Sequence, residues 1–148
     1  MMANMQISQS GLEMVKEFEG FRSEPYKCPA GVWTIGYGTT QGITKDTVPI
    51  TEEAASRMLE DDLDLIASVV SKYLPELRQN QADAVLSFVY NVGLDAFSRS
   101  GLCNAIRKNP DNFEAIRREF MRWTHAAGQV MPGLVKRRKA EADLYCGK

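Results

Sequence analysis

Glu19, Cys28 and Thr34 can each handle a proton or a water molecule, and they follow one another with eight and then five residues between them. Upstream, Leu12, Val15 and Phe18, with Met14 beside them, recur at helical spacing, and Ser8 or Ser10 can cap the start. Glu19 then falls in the last turn of that helix, and Gly20 is placed to end it. A carboxyl at that position meets the negative end of the helix dipole, which favours its protonated form. A general acid needs such a setting near neutral pH.

The runs SEPYKC and VWTIGYG, separated by Pro29-Ala30-Gly31, read as a hairpin. Alternation along the second run puts Val32, Thr34 and Gly36 on one face and Trp33, Ile35 and Tyr37 on the other. A small hydroxyl on the first face, near a thiol at the end of the preceding strand, could hold a water between two partners. Taken singly, each residue also has an ordinary explanation. Glu19 reads as a solvated helix-end acid, Thr34 as a β-branched strand former and Cys28 as a small buried apolar group. Gly36 and Gly38 open no helix and carry no phosphate-binding pattern; they suit a tight backbone or the close approach of a ligand.

The series Glu19, Cys28, Thr34 is followed by Ile35-Gly36-Tyr37-Gly38, then SFVYNVG at 87–93, Arg122-Trp123, and PGLVKRRKAE at 132–141. In this order, and over nearly the whole chain, it resembles the phage-type lysozymes, the endolysins of tailed bacteriophages (glycoside hydrolase family 24). The resemblance implies hydrolysis of the β-1,4 bond between N-acetylmuramic acid and N-acetylglucosamine in bacterial peptidoglycan, without metal or cofactor, for host lysis. It gives Glu19 the task of protonating the leaving oxygen, and Cys28 and Thr34 that of positioning or activating the water. Cys28 stands where many relatives carry Asp. A thiol is the weaker base unless it ionises, and nothing adjacent in sequence promotes a thiolate, since Lys27 faces the other way along the strand. Inversion with a positioned water is the expectation; Cys28 as a nucleophile, giving retention, stays open.

Tyr90, Asn91 and Ser100 match places where family members touch the glycan. Relatives also keep an arginine near the catalytic Glu, for which Arg137 or Arg138 is the candidate, although a solvated helix face is the default for either one singly. Thr39 replaces a His that some relatives carry, so any ion pair made by that His is absent. The missing Asp also motivates a rival reading, a peptidoglycan-binding module without catalysis. A lytic transglycosylase, which uses one Glu, is the second rival.

At 148 residues the chain fits one domain or two small lobes sharing a helix. Charged residues make up 25% and the net charge is -1, so bulk charge points to no nucleic-acid partner. Arg117, Arg118, Arg122, Lys136, Arg137, Arg138 and Lys139 crowd the last third and Glu52, Glu53, Glu60, Asp61, Asp62 and Asp64 the middle; a basic C-terminal surface could favour an anionic polymer, but solvated helix faces are the commoner explanation. Cys28, Cys103 and Cys146 have no metal-ligand spacing, and His125 stands alone, so no metal site is indicated; pairing of Cys103 with Cys146 stays open. No run approaches a membrane span and MMANMQISQS lacks a signal-peptide core. The expectation is a monomer without membrane anchor, held in the host cytoplasm until it is released to the periplasm and cell wall.

The remaining elements must hold this corner in place. TTQGITKD could add a third short strand. Thr51 caps a long helix, about 51–73, with an apolar stripe from Ala55 to Tyr73 that Pro75 ends. Asn80 can cap a helix ended by Gly93, Ser100 another ended by Asn109-Pro110, and Asn112 leads a third bearing Phe113, Ile116, Phe120 and Trp123. Pro132-Gly133 starts the last, with Leu134, Val135, Ala142 and Tyr145 as core contacts. The fold class is α+β, mainly α: a single lysozyme-like domain over 1–148, with an N-terminal lobe at about 12–50, a connecting helix and a C-terminal helical lobe at about 80–148.

Overall fold

Helix α1 (Gln9–Glu19) starts at Ser8, whose hydroxyl accepts the Gly11 amide at 3.1 Å, so Ser8 rather than Ser10 is the cap. The computed structural model describes residues 5–147; residues 1–4 and 148, which belong to the domain and the N-terminus as read from sequence, lie outside the described residues. The buried carboxylate of Asp83, from a later helix, takes the amide of Ser8 at 2.9 Å and also its hydroxyl. Gly11 permits this approach, because a Cβ there would lie 2.6 Å from Asp83 Cγ. At the other end Gly20 turns the chain away at φ 71°, and Glu19 is left as the last helical residue.

Strands β1 (Arg22–Lys27) and β2 (Trp33–Gly36) form the expected antiparallel hairpin, with Tyr26 opposite Thr34 and Lys27 opposite Trp33. The register shifts between Arg22 and Tyr26, around Pro25, which has no amide to donate. Cys28 lies one residue past β1, and its amide donates to Val32 O at 3.0 Å across the tip. The third strand expected in TTQGITKD does not form. Its polar groups bond locally instead: the Thr44 amide donates to Thr47 Oγ1 at 2.9 Å and the Asp46 amide to Thr44 Oγ1 at 3.2 Å, which closes turns where a strand would need a partner.

Helix α2 (Glu52–Val70), capped by Thr51, buries Ala55, Leu59, Leu63, Ala67 and Val70 and ends three residues before Tyr73. Helix α3 (Gln79–Val92) starts one residue before the expected cap. Asn80 is not that cap. Gln81 Oε1 accepts the Arg78 amide at 2.9 Å, whereas the Asn80 side chain donates to Leu144 O and Tyr145 O. Every residue from Gln81 to Val89 is buried, so α3 is enclosed all round, with Phe88 edge-on to Phe97, Phe120 and Trp123.

Helix α4 (Leu94–Ser98) is an element the sequence did not announce. Helices α5 (Gly101–Lys108) and α6 (Phe113–Phe120) follow as expected. A second hairpin, β3 (His125–Ala126) with β4 (Gln129–Val130), turns on Ala127 at φ 53° and Gly128 at φ 78°; sequence reading saw only the glycine. Helix α7 (Pro132–Tyr145) packs against α3 and α6.

Helix α7 overturns one expectation. Arg137, Arg138 and Glu141 point inward, while Leu134 and Val135 are only half-buried. The charges go inside because Glu141, together with Glu19 of α1, balances the two guanidiniums there, and each guanidinium also meets an aromatic ring, Phe18 for Arg137 and Phe88 for Arg138. Cys28, Cys103 and Cys146 are all free, so Cys103 and Cys146 are not joined. Among the described residues no helix is long and apolar enough to cross a membrane.

Candidate active site

Glu19 ends α1 with its side chain 18% exposed and paired to Arg137, whose Nη1 donates to Oε2 at 2.8 Å. The other oxygen, Oε1, lies against Gly38, two residues past β2; a Cβ at Gly38 would stand 2.8 Å from Oε1 and 3.4 Å from the Tyr90 hydroxyl. Glu19 and Tyr90 thus converge on one glycine. Glu19 and Arg137 also line an open cavity of about 820 Å³, whose walls include Asn91 of α3, Phe18 of α1, and Met131 and Leu134 beside the second hairpin.

Arg137 is held on all sides. Its Nε donates to Glu141 Oε2 at 3.2 Å and its Nη2 to Ser87 O at 3.1 Å, so the guanidinium that meets Glu19 has one orientation. The solvated face expected for this arginine is therefore replaced by a buried one, 5% exposed. Arg138 is buried too, and donates to Glu141, to Trp123 O at 2.9 Å and to Asn91 Oδ1. Burial lowers its proton affinity, against which the neighbouring Glu141 acts.

Tyr90 donates its hydroxyl to Tyr37 O at 2.7 Å and lines a second hollow, about 260 Å³, with Gly38, Thr40 and Asp62. Burial, and then the charge of Glu19, push its hydroxyl above the ordinary range, so it stays protonated. Tyr37 donates to Glu52 at 2.7 Å, and burial followed by that carboxylate raises it to about 12.

Cys28 and Thr34 meet each other at the hairpin tip, and neither is a wall of the cavity beside Glu19. The amides of Val32 and Ala30, and then the Thr34 hydroxyl, lower the Cys28 thiol below its ordinary value. Sequence reading found nothing to promote a thiolate. The cause is the turn, which aims backbone donors at the sulfur. Thr34 is 3% exposed and its hydroxyl lies 3.0 Å from Val32 O, so a thiolate at Cys28 and that carbonyl compete for one proton.

Ser100 stands apart. Its hydroxyl caps α5 by accepting the Cys103 amide at 3.0 Å and donates to Phe97 O at 2.7 Å; the hollow it borders is lined by Arg99, Gly101, Glu119, Arg122 and Trp123. Sequence reading missed Gly38 as the contact of the acid, and Ser87 and Glu141 as the support of Arg137. Glu141 had a signal, its spacing of three and four from the two arginines within one helix.

The profile of the family described as Phage lysozyme matches residues 16–141. The endolysin of Acyrthosiphon pisum secondary endosymbiont phage 1 is 38% identical over 146 residues, 95% of this chain and 98% of that relative. The endolysin of Bacillus phage B103 is 40% identical over 144 residues, 95% of this chain but 54% of the relative, so the chain spans about half its length. Among solved structures, the muramidase domain of SpmX from Asticaccaulis excentricus has a TM-score of 0.85 at 33% identity, covering 95% of this chain and 97% of its own. The endolysin from Escherichia coli O157:H7 phage FAHEc1 has a TM-score of 0.82 at 34% identity, covering 98% and 96%. The chain belongs to the phage lysozyme family, and its fold is lysozyme-like, mainly helical with small antiparallel sheets. It is a glycoside hydrolase of the muramidase kind.

Proposed function

We propose that this chain is an endolysin that hydrolyses the β-1,4 bond between N-acetylmuramic acid and N-acetylglucosamine, with Glu19 as general acid. The observation that carries the reading is the unequal state of the two carboxyl oxygens. Oε2 is fixed by Arg137, while Oε1 faces the gap at Gly38 and Tyr90. A proton on Oε1 would be presented to a leaving oxygen by a group that cannot swing away. Asn91 and Arg137 line the cavity in which one of the sugars would sit. Cys28, with Thr34, acts on the water, and inversion is the expected outcome. The lowered thiol favours a second reading, attack by Cys28 itself, which would retain configuration.

In this reading residues at about 12–50 form one wall of the cleft and those at about 80–148 the other, with the helix at about 51–73 between them. The protein acts as a monomer on peptidoglycan, without nucleic acid or cofactor. It waits in the host cytoplasm until it is released to the wall.

Glu19→Gln tests the assignment, since the amide keeps the shape and cannot donate the proton. The variant should fold and lose at least about a thousandfold in clearing of permeabilised Gram-negative cells; near-normal clearing would sink it. Mass spectrometry of wild-type fragments should show reducing ends, whereas anhydro ends would mean a lytic transglycosylase. Binding without any cleavage would mean a wall-binding module. The anomer formed first separates water attack from thiol attack.

A further inference from the structure

We propose that Glu141 is a positioning residue of the cleft, which from the core orients Arg137 and Arg138 and through them the carboxyl of Glu19 and the side chain of Asn91. The inference rests on the reading of Glu19 as the acid.

Glu141 is fully buried, and both of its oxygens are used. Oε2 accepts from Arg137 Nε at 3.2 Å and from the Ser87 hydroxyl at 2.6 Å, and Oε1 accepts from Arg138 Nη1. The two arginines then face the cleft with what remains of their forks: Arg137 Nη1 holds Glu19, and Arg138 Nη2 holds Asn91. One carboxylate therefore stands behind two side chains of the cavity wall. The spacing within α7 makes this possible, because residues three and four apart share a helix face.

Charge gives Glu141 a second consequence. The cluster holds two guanidiniums and two carboxylates, and of the two carboxylates Glu19 is the one that lines the cavity. A general acid must alternate between its charged and neutral forms. With Glu141 permanently opposite Arg137, Glu19 can take up its proton without leaving that guanidinium without a counter-charge. The other groups around Glu19 do not replace it: Tyr90, from α3, stays protonated, and Glu17 and Lys136, on α1 and α7, line the same cavity with opposite signs. Just past the first hairpin, the backbone of Gly38 lies against the carboxyl.

Glu141→Gln removes the charge and keeps the shape. Its muralytic rate, normalised to folded protein, should fall about tenfold at neutral pH, with the basic limb of the pH–rate profile moved to lower pH, because Arg137 then bears on Glu19 alone. An unmoved limb, with losses equal at every pH, overturns the proposal and leaves Glu141 a purely structural group. If Glu141→Gln does not fold, Glu141→Asp decides: it keeps the charge but withdraws the carboxyl by one methylene. A several-fold lower kcat per folded molecule supports the proposal, and an unchanged kcat overturns it. Glu19→Gln is run alongside. If that variant is active the acid assignment fails, whereas if it is dead while Glu141→Gln keeps the wild-type profile, only the present inference fails.

Discussion

Gly38 and Glu19 touch across the junction of the first hairpin and α1: a methyl on Gly38 would stand 2.8 Å from Glu19 Oε1, and the backbone there has φ 93°. Both facts forbid a side chain, one by strain and one by collision with the carboxyl oxygen that is free of Arg137. Gly38→Ala should cost about 1–3 kcal/mol from its backbone conformation alone. It should also lower muralytic activity by more than the fraction unfolded, since Glu19 must move aside. Thermal melting and turbidity clearing on the same preparation check this; a variant that is less stable but fully active per folded molecule would show that the contact has no bearing on catalysis.

Arg137 has three separate partners in Glu19, Glu141 and Ser87. Lysine offers a point charge and cannot meet all three in one plane. Arg137→Lys should therefore fold, lose part of its stability and lose most of its activity. Arg137→Met removes the charge and leaves Glu141 buried beside Arg138 only, at a cost of about 3–5 kcal/mol. Urea titrations of the two variants rank them, and Arg137→Met as stable as wild type would refute the view that Arg137 sits in a coupled cluster.

Cys28 is half-exposed and its thiol lies below the ordinary value, because the Val32 and Ala30 amides and the Thr34 hydroxyl favour the thiolate. Cys103 is the opposite case, buried and raised by that burial. Iodoacetamide should therefore alkylate Cys28 first, at a pH below that at which an ordinary thiol reacts, and leave Cys103 untouched in the folded protein. Activity should fall in step with Cys28 modification. Cys28→Asp should be tolerated, and Cys28→Ser should slow turnover by roughly tenfold or more with little loss of stability. Peptide mapping and clearing assays decide; full activity in Cys28→Ser would make the residue a spacer.

What the sequence disclosed were the features written locally. The end of α1 at Glu19, the Thr51 cap and the β1–β2 hairpin rest on short-range patterns, and they formed as read. The second hairpin and α4 are too short to set up a period, and Ala127 in the left-handed region has no compositional mark. The inward turn of Arg137, Arg138 and Glu141 depends on partners on other elements, Glu19, Ser87, Asn91 and Trp123, which no helical wheel of α7 contains. The lowered Cys28 thiol was hidden for a similar reason: its donors are amides aimed by the turn. Ser100 matched a family position, yet its hydroxyl is taken up in capping α5.

Asp62 on α2 borders the hollow shared with Tyr90 and is half-buried. Burial, and then the adjacent Asp61, raise its carboxyl above the usual 3.8. The native state therefore binds its proton at pH values where the unfolded chain has released it, so stability falls as pH rises through that window and stays lower at neutral pH. Asp62→Asn should remove this penalty. The variant is expected to be more stable than wild type at pH 7, by less than about 1 kcal/mol because solvent still reaches the carboxyl. The gain should shrink on acidification and vanish below about pH 3.8, where both states of the wild type are protonated. Asp61→Asn should give a smaller gain of the same sign, as the lesser of the two causes. Melting temperatures across the acidic range test this: a difference between Asp62→Asn and wild type that is constant with pH, or a variant less stable at pH 7, would show that Asp62 is held by contacts that its charge supports.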